Sequence, residues 1–225
     1  MDLLKSILDF ILHLDVHLIA MIEDYGLWIY AILFLIIFVE TGLVIMPLLP
    51  GDSLLFAAGT FCAGFKNEAG ESAHLNIWIV LGLLIVAAIL GDGLNYFFGK
   101  RIGLKVLKWK IRGRQIVKQK YIDQTHAFYE KHGPKTIIIA RFVPIVRTFA
   151  PFVAGIGEMS YAKFLKFNII GGVSWVLSLT LLGYFFGNLP IVQENFEIVI
   201  FGIIGLSILP MIIEIIRAKR KANKG

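Results

Sequence analysis

Four long apolar stretches govern what this chain can become. Residues 27–45, 77–98, 169–186 and 198–216 each approach the roughly 20 residues that a helix needs to cross a ~30 Å hydrocarbon core. A backbone inside lipid has to satisfy its own hydrogen bonds, so such runs are expected to be helices. With 57% hydrophobic and only 17% charged residues, the chain does not fit an ordinary soluble domain. The sequence predicts an all-α integral membrane protein with about four spanning helices.

The first 24 residues read differently. Asp2, Lys5, Ser6, Asp9, His13 and His17 recur every three or four positions, opposite Leu4, Leu8, Ile11 and Leu12, which predicts an amphipathic interfacial helix over 1–24. No basic segment followed by an apolar core and a small-residue cleavage site opens the chain, so these residues are not read as a removed signal peptide. The one cysteine, Cys62, allows no intrachain disulfide, and no Cys/His cluster has metal-ligand spacing. His13 and His17, one turn apart, are read as part of the polar stripe rather than as a metal pair. Neither a metal nor a cofactor is expected.

Charge sets the orientation. Eleven Lys or Arg fall in residues 100–135 against Asp123 and Glu130, and five more lie in 217–225. The loops at 66–76 and 188–197 lean acidic, with Glu68, Glu71, Glu194 and Glu197. The positive-inside rule therefore places the basic loop 100–135 and the basic tail 218–225 in the cytoplasm, and the acidic loops on the far side. Lys108, Trp109, Lys110, Arg112 and Arg114 mix charge with an aromatic ring, but a juxtamembrane basic cluster is expected to hold anionic lipid headgroups rather than nucleic acid.

Parity then demands two excursions that enter and leave on one side. Residues 77–98 run inward and 169–186 run outward, so the segment near 136–157 must dip in from the cytoplasm and return. Residues 27–45 run outward from a cytoplasmic N-terminus, so the segment near 43–65 must dip in from outside. These are two oppositely oriented re-entrant hairpins, one in a first membrane half (25–99) and one in a second (136–217). A short similarity links the halves: Tyr96-Phe97-Phe98-Gly99 recurs as Tyr184-Phe185-Phe186-Gly187. Inverted repeats with broken helices are the organisation of many secondary transporters.

The hairpin regions also carry charge. Glu40 precedes the first and Asp52 lies within it, and Arg141 and Arg147 sit in the second. Four such groups at membrane depth cost on the order of 10 kcal/mol unless paired or hydrated. Pro47, Pro50, Gly51, Pro144 and Pro151 break the helical ladder, which is tolerated at that depth only where the backbone faces protein or water. A guanidinium presents a planar fork of donors suited to phosphate or carboxylate, so Arg141 and Arg147 are the candidate anion-binding residues. Glu40 and Asp52 are candidate proton carriers, because burial and a neighbouring arginine pull a carboxyl group in opposite directions. The bland alternative is that acids and arginines only pair to hold the hairpins together. Asp92, between Gly91 and Gly93, is a secondary candidate, while Asn168, Trp175 and Tyr184 read as packing or interfacial residues.

Glu40-Thr41-Gly42, Pro47-Leu48-Leu49-Pro50-Gly51-Asp52, Arg141-Phe142-Val143-Pro144-Ile145-Val146-Arg147 and Ala154-Gly155, in that order, resemble the bacterial DedA family, also called the SNARE-associated or VTT-domain family. The stretch 126–155 is most similar to DedA-type members. The resemblance implies a proton-coupled transporter of the bacterial inner membrane, multi-pass with both termini cytoplasmic. It implies that Glu40, Asp52, Arg141 and Arg147 are the family's essential acids and arginines. Some members recycle the carrier lipid undecaprenyl phosphate, and an anionic polyprenyl-phosphate lipid is the leading expectation for the substrate here. An ion or small-cation antiporter and a phospholipid scramblase stay open as alternatives, and so does homo-oligomerisation. An enzyme cleaving lipid phosphates is disfavoured, since no cysteine accompanies the arginines and no histidine lies in either hairpin.

Overall fold

The computed structural model describes residues 26–43, 51–66, 72–106, 110–111, 114–115, 119–187, 189–193, 195, 198–203 and 205. The expected amphipathic helix at 1–24, the basic tail, Pro47 and Pro50 lie outside the described residues. The chain is helical, as its apolar runs require. In order come α1 (Trp28–Gly42), α2 (Gly51–Cys62), α3 (Ile77–Val106), α4 (Gln119–His132), α5 (Thr136–Ala140), α6 (Pro144–Val153), α7 (Tyr161–Phe186) and α8 (Pro190–Gln193). Two antiparallel ladders of two residues per strand interrupt them, Phe65–Lys66 with Ser72–Ala73 and Lys110–Ile111 with Arg114–Gln115.

α3 and α7 are long and apolar enough to cross a membrane. α1 is a shorter apolar helix of 15 residues, and most of the fourth expected span, 198–216, lies outside the described residues. Both long helices outrun their apolar stretches, because a helix does not end where hydropathy does. α3 continues through Lys100, Arg101 and Lys105, cations that suit a helix C-terminus, and α7 begins eight residues before Ile169, at Tyr161. From Trp78 to Lys100 α3 spans about 33 Å at 1.5 Å per residue, with an exposed tryptophan at one end and cations at the other, as interfaces favour. Its sides are inverted relative to a soluble helix. Ile79, Val86, Leu90 and Phe97 are exposed, while Asp92 and Asn95 are buried. Apolar groups outside and polar groups inside suit lipid as the solvent.

The described residues form two compact units. One contains 26–35, 51–84 and 176–205, and the other 36–43 and 85–175. In the second unit, Tyr96, Ile122, Tyr129, Phe149, Phe152 and Phe164 belong to one buried cluster. Residues 100–135 contain a helix: α4 buries Ile122, Thr125 and Tyr129, three and four positions apart on one face, and the Tyr129 hydroxyl donates to the Ala150 carbonyl at 2.9 Å. Gly133, with φ +57°, ends α4 in a conformation that other residues rarely adopt, and Pro134 follows.

One very close helix crossing in each unit has the same form as one in the other. In the second unit a Cβ on Gly155 would overlap the Tyr96 carbonyl, and one on Gly99 would overlap the Phe152 carbonyl. In the first unit Gly59 meets the Thr180 carbonyl and Gly183 meets the Phe56 carbonyl in the same way. Backbones approach this closely only where small residues face each other. The repeated element is therefore Phe56-Ala57-Ala58-Gly59 and Phe152-Val153-Ala154-Gly155, each crossing a glycine of a long helix. Matched by contact, Gly99 corresponds to Gly183 and Tyr96 to Thr180. The Tyr-Phe-Phe-Gly similarity in the sequence is thus displaced by one helical turn from the structural equivalence.

Gly99→Ala is expected to lower the thermal midpoint of the detergent-solubilised protein, by roughly 1–3 kcal/mol of overpacking. Gly93→Ala, six positions earlier on α3 with nothing within 4 Å of the added Cβ, is expected to leave it near the wild-type value. Thermal denaturation of the two variants side by side checks the contrast.

Candidate functional site

The second unit brings together charged groups from separate elements. α1 delivers Glu40 in its last turn. α3 delivers Asp92 and, three residues on and therefore on the same face, Asn95. The broken segment 136–153 delivers both arginines. α5 stops at Ala140, and the chain tightens into a turn through Arg141 and Phe142, whose N–H groups donate to carbonyls three residues back, before Val143, which is extended at φ −121°, ψ 103°. Proline excludes helical geometry from the residue before it, and it lacks only an N–H that the first helical position does not use. Pro144 therefore starts α6 as much as it ends α5. Arg141 falls at the end of one helix and Arg147 in the opening turn of the next. Pro151, inside α6, leaves the Arg147 carbonyl without its donor four residues on.

Arg147 Nη2 donates to Glu40 Oε1. Arg141 Nη2 donates to Asp92 Oδ2 at 2.5 Å and to Asn168 Oδ1 at 2.7 Å. Asn168 Nδ2 in turn donates to the Ile89 carbonyl at 3.0 Å, which fixes the orientation of the amide. Both guanidiniums lie over Trp175 of α7, with their carbons 5.6 Å (Arg141) and 5.0 Å (Arg147) from the ring centroid, within cation–π range. α7 admits the Arg141 side chain through Gly171, where a Cβ would stand 3.1 Å from Nε. α1 reaches α3 through Gly91, where a Cβ would overlap the Thr41 hydroxyl.

Burial grades the two pairs. The side chains of Arg141 and Asp92 are 2% and 5% exposed, whereas Arg147 is 13% exposed beside a Glu40 at 2%. Buried charges persist where they are paired, and two carboxylates face two guanidiniums here. Both hydrogens of Arg141 Nη2 are engaged, while its Nε and Nη1 are buried with no acceptor among the described residues. Unmet buried donors of this kind cost about 1–3 kcal/mol each; they point to opposite sides of the guanidinium, so each offers a separate single hydrogen bond to an acceptor.

Of the sequence candidates, Glu40, Arg141 and Arg147 thus lie in one unit. Asp92, read as secondary, is the partner of Arg141. Asp52 belongs to the other unit, half-buried in the first turn of α2 next to a buried Gly51. Asn168 and Trp175, expected to do ordinary packing or interfacial work, contact the arginines directly. They sit seven residues apart on one face of α7, which is the signal that could have linked them. No group of three or more His, Cys, Asp or Glu able to hold a metal ion occurs among the described residues.

Long apolar helices that turn their acids and amides inward around paired arginines define a helical membrane protein with a charged interior. Residues 49–185 match the VTT domain, and the chain belongs to that family, the DedA family. It is 54% identical to Protein DedA of Escherichia coli (strain K12) over 224 residues, covering 100% of this chain and 99% of the relative. An uncharacterized membrane protein of Mycobacterium leprae is 45% identical over 178 residues, 79% of this chain and 75% of the relative. The inner membrane protein YqjA of Escherichia coli (strain K12) is 35% identical over 193 residues, 85% of this chain and 82% of the relative. No solved structure matches the chain.

Removing one member of a buried pair strands the other, at about 3–5 kcal/mol. Asp92→Asn is therefore expected to lower the thermal midpoint sharply, and Asp92→Asn with Arg141→Gln to lose less than the two single changes summed. A double-mutant cycle on thermal denaturation reads the coupling, and additive losses would contradict the pairing.

Proposed function

We propose that the protein is a proton-coupled transporter of an anionic polyprenyl-phosphate lipid in the bacterial inner membrane, and that Arg141 and Arg147 bind the phosphate. The carrying observation is the buried Arg141 and the partly buried Arg147 guanidiniums over one indole ring, balanced by two carboxylates from separate helices. Such balance makes anion entry a matter of charge exchange. Glu40 takes up a proton, becomes a neutral acid and releases Arg147. The phosphate then accepts from the Arg147 fork and from one open N–H of Arg141. Asp92 and Asn168 keep Arg141 in place throughout. One negative charge enters for each proton taken up, so the interior stays near neutral, as a low-dielectric site requires. The polyprenyl tail remains in lipid while the headgroup crosses.

In this reading the segments near 43–65 and 136–157 are the re-entrant hairpins, and Asp52 is the second proton-accepting carboxylate. Both termini are cytoplasmic, and the basic residues between 100 and 135 hold anionic lipid rather than nucleic acid. No covalent bond of the lipid is broken, so no catalytic nucleophile is needed. The greater exposure of Arg147 supports it as the first contact for the incoming phosphate.

A proton-coupled cation antiporter would use the same carboxylates and leave the arginines structural. Arg147→Lys separates the two, because lysine keeps the charge and loses the fork. In proteoliposomes carrying labelled polyprenyl phosphate, wild-type protein is expected to speed headgroup translocation. Arg147→Lys should lower that rate by tenfold or more, on the order of one good charge-assisted hydrogen bond. Glu40→Gln should bind lipid and lose its response to a pH gradient. Translocation no faster than in protein-free liposomes would overturn the proposal, and near-normal activity of Arg147→Lys would favour the antiporter.

A further inference from the structure

We propose that Asn95 is a positioning residue that holds the Glu40 carboxylate against Arg147, and that it thereby sets the proton concentration at which this pair opens. Its amide nitrogen carries two hydrogens and spends them on two different segments. Asn95 Nδ2 donates to the Thr41 carbonyl at 3.3 Å and to the Thr148 carbonyl at 2.9 Å. Thr41 is the residue after Glu40, and Thr148 is the residue after Arg147. One fully buried side chain therefore ties the backbone beside the acid to the backbone beside its cation.

The first bond also meets a local need: Thr41 lies in the last turn of α1, where carbonyls lack intrahelical donors. Thr148 lies in α6 one residue after Arg147, and its carbonyl accepts the Asn95 bond from outside the helix. Gly91, one turn before Asn95, is what lets Thr41 come within reach. The amide bonds neither Glu40 nor Arg147 directly, so its influence runs through the peptides that carry them.

Arg147 from α6 pairs with Glu40, Arg141 from the end of α5 also bears on it, and Arg141 is paired in turn to Asp92 from α3. α7 brings the uncharged Asn168 and Trp175 to this cluster. Without the Asn95 tether, Arg147 relaxes toward its more exposed side, and the Glu40 carboxylate loses its nearest cation while staying buried. Its charged form is then disfavoured, so Glu40 protonates at higher pH. In the exchange proposed for transport, on which only this consequence rests, the gate at Arg147 would open with too little acid.

The test is an infrared titration of the full-length protein in lipid. The protonated-carboxyl stretch present in wild type and missing in Glu40→Gln is followed against pH. In Asn95→Leu, which removes both donors at similar size, the midpoint is expected to rise by about one pH unit, a tenfold change in proton concentration. Combining Asn95→Leu with Arg147→Gln should add little to the rise seen in Arg147→Gln alone. An unchanged midpoint in a folded Asn95→Leu protein would overturn the proposal, whatever its melting temperature. If Asn95→Leu does not fold, Asn95→Ser, smaller and with a single donor, is read by the same criterion. Lipid movement plays no part in the measurement, so a failure of the transport reading and a failure of this one are told apart.

Discussion

Neutralising charge where water is scarce is the constraint on which this structure depends. Arg141 is buried on all sides, and its pairing with Asp92 is what makes that burial tolerable. Around this pair the polypeptide is arranged in a consistent way. A broken helix supplies the cations, two other helices supply the acids, and α7 supplies an indole face and a glycine that gives the guanidinium room. The outer pair, Glu40 with Arg147, obeys the same electrostatics with more access to the surroundings. One pair is sealed from its surroundings, and the other is partly open to them.

Close backbone contact is the second organising device. Without a strong hydrophobic drive between helices in lipid, association leans on van der Waals contact and interhelical hydrogen bonds. The paired glycine crossings supply the former in each unit, and the buried amides Asn95 and Asn168 supply the latter in the second. In the first unit the Thr60 hydroxyl lies 3.3 Å from the Gly183 carbonyl and reinforces that crossing. Beyond those in the buried cluster, large apolar side chains are also spread over the outer faces of α3 and α7.

Much of this was legible in the residues, for reasons that also explain what was not. Glu40, Arg141 and Arg147 stood out because a charge inside an apolar run has few explanations. The breaks around Pro144 were readable because proline constrains its own φ and its predecessor's conformation. Partner choice was not readable, since it depends on α1 meeting α3 at Gly91, and a glycine in an apolar helix announces no particular neighbour. Asn95, Asn168 and Trp175 were missed because amides and indoles are ordinary in such helices until something charged is found beside them. The internal repeat was sought in an aromatic tetrapeptide, while the actual equivalence is a pattern of small residues shifted by one turn. The ends of α3 and α7 escaped because hydropathy marks where lipid stops, which is not where the helix stops.

Trp175 lies under both guanidiniums at once. A single platform shared by two cations couples their fates. Replacing the indole would disturb the more buried pair together with the more exposed one. Descendants of such a protein therefore have little freedom to retune one arginine alone.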